Sequence, residues 1–99
     1  MEVTSVAKMP RILVVDDDSE MRALLLDVLT NEGYEVVEAK DGTEAVLALR
    51  ARKFDLILMD KNMPGPSGLD LLPGFRRVSP WSPIIMMTAF GDVPSYMEA

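Results

Sequence analysis

Apolar and polar positions alternate in blocks along this chain, and the period of the pattern changes in a regular order. Arg11-Ile12-Leu13-Val14-Val15 is a short apolar run that ends in Asp16-Asp17-Asp18. It predicts a buried strand. Beyond Ser19, the residues Met21, Leu24, Leu25, Val28 and Leu29 recur at the spacing of one face of an amphipathic helix. Asp18 or Ser19 suits its N-cap, and Gly33 suits a left-handed stop at its end. Residues 34–39 read as a second, shorter strand. Asp41-Gly42-Thr43-Glu44 then has the Asp-x-x-Glu spacing of a capping box, opening a helix through Ala45, Val46 and Leu49.

The same alternation continues downstream. Residues 56–59 are apolar throughout, as expected of a strand covered on both faces, and they run into Asp60 and the turn Lys61-Asn62-Met63-Pro64-Gly65. A third helix starts at Leu69, and Pro73-Gly74 should shorten or kink it, with Phe75 and Val78 continuing beyond. Residues 83–88 predict a fourth buried strand. Residues 91–99 look like the start of a fourth helix, with Pro94 tolerable in its first turn. Strands and helices in alternation imply an α/β fold, a doubly wound parallel sheet with right-handed crossovers. The chain divides into an N-terminal arm, residues 1–10, and one domain, residues 11–99.

Ligands of such sheets bind beyond the carboxyl ends of the strands. Asp16, Asp17, Asp60 and Thr88 all fall at predicted strand ends, so two groups of carboxylates are expected to meet in one crevice. Crowded carboxylates repel unless a cation or a proton neutralises them. The expectation is a hard metal ion beside one special aspartate, Asp60. Asp18 is expected to serve as a helix cap rather than a ligand.

Composition narrows the chemistry. The 99 residues include no cysteine and no histidine, which removes thiolate and imidazole ligands, an imidazole base and any Ser-His-Asp arrangement. Sixteen acidic and ten basic residues give a net charge of −6, which argues against nucleic acid or an anionic membrane as a partner. No apolar run approaches the ~20 residues needed to span a bilayer. The N-terminus does not read as a signal peptide, so a cytoplasmic protein is expected.

The chain resembles a response-regulator receiver domain, the phosphoacceptor half of two-component signalling, from Arg11 onward. The marks are Val14-Val15-Asp16-Asp17, Met59-Asp60 followed by Asn62-Met63-Pro64 and Gly68, and Met87-Thr88-Ala89. The resemblance implies a flavodoxin-like fold and a Mg²⁺-dependent transfer of a phosphoryl group onto Asp60. The donor would be a phosphohistidine on a sensor histidine kinase or phosphotransfer protein. It also implies that Asp17 and Asp60 bind Mg²⁺ directly, Asp16 mainly through water, and Asn62 through its backbone carbonyl. Thr88 would hydrogen-bond a phosphoryl oxygen, and the small Ala89 would let its backbone N–H approach the same group. Asn62 and Phe90 flank the path of the water that would hydrolyse the acyl phosphate. No turnover of an external substrate is implied, only weak self-phosphorylation and autodephosphorylation.

Receiver domains have a fifth strand, which ends in a lysine, and a fifth helix; this sequence stops at Ala99 and is expected to lack both. The fourth strand then becomes an open edge, and homodimerisation through it is expected. An alternative is an interaction module with an inert acidic pocket. A phosphatase of the haloacid-dehalogenase type would want an aspartate where Asn62 stands, which disfavours that class.

Overall fold

The computed structural model of the chain describes residues 9–61, 63 and 68–87. Its elements follow the predicted order: β1 (Arg11–Val15), α1 (Ser19–Asn31), β2 (Glu35–Ala39), α2 (Gly42–Ala51), β3 (Leu56–Asp60), α3 (Gly68–Val78) and β4 (Ile84–Met87). The four strands form one parallel sheet in the order β2-β1-β3-β4, the order of a flavodoxin-like fold. From β1 the chain turns to one side for β2 and then crosses back for β3. The switch point lies between β1 and β3. The predicted helix over residues 91–99 and the arm over residues 1–8 lie outside the described residues.

Local chemistry fixes the helix ends. Asp18 Oδ1 accepts from the amides of Glu20 and Met21 at 2.9 and 3.3 Å, so Asp18 is the cap of α1. Gly33 has φ +95° and ends that helix in the left-handed region. At α2 the capping box forms with a variation: Asp41 Oδ1 accepts from the Glu44 amide, but Glu44 reaches back to the amide of Lys40 rather than that of Asp41.

The main core fills one face of the sheet, where Leu13, Val15, Ile57 and Met59 meet Ala45 and Leu49 of α2 and Phe75 of α3. Pro73 does not end α3, which runs on to Val78, so the shortening expected there does not occur. Its fixed φ is compatible with a helix, and fully buried Phe75 holds the following half-turn in place.

The other face departs from the sequence reading. The five-residue apolar stripe predicted for α1 is split: Leu25 and Leu29 are half-buried, while Met21, Leu24 and Val28 are exposed. α1 packs over β2 and β1, to one side of that face. β4, expected to be buried, leaves Ile85 52% exposed. Register explains this: Ile85 pairs with Leu58, on the face away from the main core, whereas Ile84 and Met86 pack into the core.

Below the sheet, the α3–β4 turn is pinned by two buried serines. Ser82 Oγ donates to the Phe54 carbonyl at 2.6 Å and lies 2.7 Å from Ser79 Oγ. A hydroxyl has one hydrogen, so Ser79 must be the donor in that second bond.

Candidate functional site

β1 and β3 are parallel neighbours with Val15 opposite Met59, so the next residue on each, Asp16 and Asp60, emerges on the same edge. One carboxylate oxygen each from Asp16, Asp17 and Asp60 lies within 4.8 Å of the others. Asp16 is buried, Asp60 half-buried and Asp17 exposed, so the group opens from the interior toward solvent on the Asp17 side. Asp18 spends its carboxylate on the helix cap and stands outside the group.

The backbone around Asp16 is tightly specified. Its amide donates to the Ala39 carbonyl at 3.0 Å, extending the β1–β2 ladder by one bond. Its Oδ1 accepts from the Asp18 amide at 2.9 Å. Its carbonyl accepts from Arg22 Nη1 at 2.7 Å. At β3 the Lys61 amide donates to the Met87 carbonyl at 2.9 Å, so Asp60 is held between ladder bonds.

Electrostatics carry the consequence. Burial pushes the Asp16 carboxyl above its ordinary value of 3.8. The Asp60 carboxylate, by its charge and a side-chain hydrogen bond, and Asp17 by charge, push the same way. The Asp18 N–H pulls against them. Three hard oxygen donors in mutual repulsion, with no nitrogen or sulfur among them, suit a small divalent cation. Mg²⁺ fits this donor set, since it takes one or two carboxylates and keeps several waters.

Gly68 has a steric reason to be glycine. Its amide donates to the Lys61 carbonyl, and a Cβ there would stand 2.6 Å from the Asp60 carbonyl oxygen. Only a residue without a side chain lets α3 begin against the Asp60 peptide. Beside the carboxylates a cavity of about 440 Å³ is lined by Asp17, Lys40, Asp41, Thr43, Met63 and Leu71.

Of the expected site residues, Asp16, Asp17 and Asp60 come together; Asn62, Thr88, Ala89 and Phe90 lie outside the described residues. Sequence reasoning missed Arg22. The available signal was weak: Arg22 lies at helical spacing from Leu25 and Leu29, but the same periodicity also takes in Met21, Leu24 and Val28, which stand exposed.

Comparison with known proteins gives the same reading. The sequence profile of the response regulator receiver domain matches residues 12–99. The chain is 41% identical over 83 residues to the transcriptional regulatory protein TcrA of Mycobacterium tuberculosis, covering 84% of this chain and 33% of TcrA. It is 39% identical over 90 residues to the chemotaxis protein CheY of Thermotoga maritima, covering 90% of this chain and 75% of CheY. The chain thus spans a third of one relative and most of the other. Among solved structures, the response regulator protein TrrA from Thermotoga maritima, in complex with Mg(2+)-BeF, aligns with a TM-score of 0.77 at 40% identity. That match covers 88% of this chain and 76% of TrrA.

Proposed function

The chain belongs to the response regulator receiver domain family, and from that premise we propose that it is a phosphoacceptor signalling module with Asp60 as the acceptor. The donor is a phosphohistidine on a sensor histidine kinase or phosphotransfer protein. One observation carries this reading: three carboxylates from two strand ends converge within 4.8 Å, with Asp60 among them. An Asp60 oxygen forms a bond to phosphorus as the bond from phosphorus to imidazole nitrogen breaks. The imidazole retains its electron pair and takes up a proton, and an acyl phosphate stands on Asp60.

Asp17 and Asp60 would hold Mg²⁺ directly, Asp16 largely through water, and Asn62 by its carbonyl; that TrrA is a complex with Mg(2+)-BeF supports the choice of metal by analogy. When bound, Mg²⁺ offsets the negative charge shared by the carboxylates and the incoming phosphoryl oxygens. Half-buried Asp60 keeps its position through the ladder bond at Lys61. Exposed Asp17 leaves the outer side of the site accessible to the donor. Thr88 and Ala89 would contact the phosphoryl oxygens, and the protein would act in the cytoplasm, as the family resemblance implies. Among the described residues no helix is long and apolar enough to cross a membrane.

The test is incubation with acetyl phosphate, with and without Mg²⁺, followed by intact mass. The expected result is one phosphoryl addition that needs Mg²⁺ and vanishes in Asp60→Asn. An addition that survives in Asp60→Asn sinks the assignment.

A second reading, self-association through β4, the last strand of the sheet among the described residues, is favoured by the exposure of Ile85 on one sheet face together with Met21, Leu24 and Val28 of α1. The occupant is a second copy of the chain. A monomer mass in light scattering across the accessible concentration range would rule it out.

A further inference from the structure

We propose that Arg22 is a positioning residue for the cation site, acting through the peptide that joins Asp16 to Asp17. The guanidinium makes two bonds from two nitrogens. Nη1 donates to the Asp16 carbonyl at 2.7 Å, and Nε donates to Glu38 Oε1 at 3.2 Å. Its side chain is 17% exposed, so the contact is shielded. Glu38 lies on β2, opposite Val14. Arg22 therefore ties three elements together: α1, the turn that follows β1, and β2.

The choice of atom matters. The carbonyl that Arg22 holds belongs to the peptide unit shared by Asp16 and Asp17, so its orientation sets how the two carboxylates leave the backbone. The ladder bond from the Asp16 amide to Ala39 fixes the preceding peptide, and the Asp18 amide holds Asp16 Oδ1. The bond from Arg22 acts on the next peptide plane directly, through its carbonyl. A charge-assisted bond at this length is among the stronger kinds. The planar fork matters too, because a lysine ammonium is a point charge without the two-nitrogen geometry.

A simpler account makes Arg22 only a tie between α1 and β2. The two accounts predict different responses to Mg²⁺. Removing a positive charge near three carboxylates strengthens the attraction of a cation. Losing the positioning of two ligands weakens cation binding; loss of groups that hold metal ligands in place typically costs ~10–100-fold in affinity. The signs are opposed, so the direction of change decides.

This inference rests on the reading that Asp16 and Asp17 serve a Mg²⁺ site, and the experiment separates the two. Mg²⁺ is titrated calorimetrically into the wild-type chain, Arg22→Gln and Arg22→Lys, with the melting temperature of each taken in chelator. The wild type should bind Mg²⁺, Arg22→Gln should bind about tenfold more weakly, and Arg22→Lys should fall between them despite its full charge. Affinity in Arg22→Gln that is unchanged or tighter overturns the proposal while leaving the phosphoacceptor reading intact. If Arg22→Gln does not fold, Arg22→Lys decides alone: weaker binding supports positioning, and wild-type affinity overturns it. A wild type that binds no Mg²⁺ sinks both readings.

Discussion

The two edges of the sheet carry charge in opposite ways. At the carboxyl edge, Asp16, Asp17 and Asp60 gather three like charges within 4.8 Å. At the amino edge charges alternate and satisfy one another. The Arg11 amide donates to Asp55 Oδ2 at 2.7 Å, and Arg11 Nη1 donates to the Lys53 carbonyl at 3.0 Å. Glu35 stands between Arg11 and Arg52, 3.2 Å from each. Lys53 lies 5.3 Å from the centre of the Trp81 ring. The amino edge closes the fold with its own groups, while the carboxyl edge concentrates a repulsion that an added cation relieves.

The largest test breaks the amino edge. Ser82→Ala removes the donor to the Phe54 carbonyl and the acceptor of Ser79, all in a fully buried turn. Leaving buried polar groups unpaired costs ~1–3 kcal/mol. Urea unfolding followed by Trp81 fluorescence should show that loss, because Trp81 lies beside the turn. Mg²⁺ affinity should not move. A change in it would mean that the edges are coupled and that the comparison fails.

A smaller effect of opposite sign belongs to the carboxyl edge. Asp16→Asn keeps an oxygen to accept from the Asp18 amide and adds a donor toward Asp60. Asp16 has a folded value raised above its unfolded one, so its proton is bound more tightly in the folded state. Its contribution to stability is full below about 3.8 and is lost as pH rises through the folded value. At neutral pH, in chelator, Asp16→Asn should therefore melt above the wild type, by about 0.5–1 kcal/mol, the size of one hydrogen bond. The advantage should shrink toward pH 4 and reverse when Mg²⁺ is added. A destabilised Asp16→Asn in chelator would remove the claim of a strained edge.

Most of this contrast was written in the sequence, though not all. Element order and the meeting of Asp16 with Asp60 followed from two apolar runs that both end in aspartate, since parallel strands put their ends together. The helix caps at Asp18 and Asp41 were legible because capping is local chemistry. The burial of α1 was not: periodicity marks an apolar stripe but not what lies over it, so Met21, Leu24 and Val28 read as core and stand exposed. Pro73 did not shorten α3 for a related reason, as local propensity gave way to packing around Phe75. The link from Arg22 to the Asp16 carbonyl depends on how α1 sits over β1 and β2, which no local pattern encodes.

A charge change at the amino edge should have the least effect. Glu35→Gln also removes one negative charge, but at the amino edge, where the carboxylate faces two arginines rather than two other carboxylates. The pairs are partly exposed, with the Glu35 side chain 38% accessible, so solvent screens them and the loss should be no more than ~0.5 kcal/mol. Arg11 Nε is buried without a well-aimed hydrogen bond and lies 3.2 Å from Glu35, whose charge helps to compensate it, so the direction is a loss. Melting curves at low salt should show a slight destabilisation that fades as salt is added. Set beside Asp16→Asn, the same change of charge then acts with opposite sign at the two ends of one sheet. That opposition is expected where burial and like charge crowd the carboxyl edge and opposite charges meet at the amino edge, and equal signs would show that net charge alone governs both.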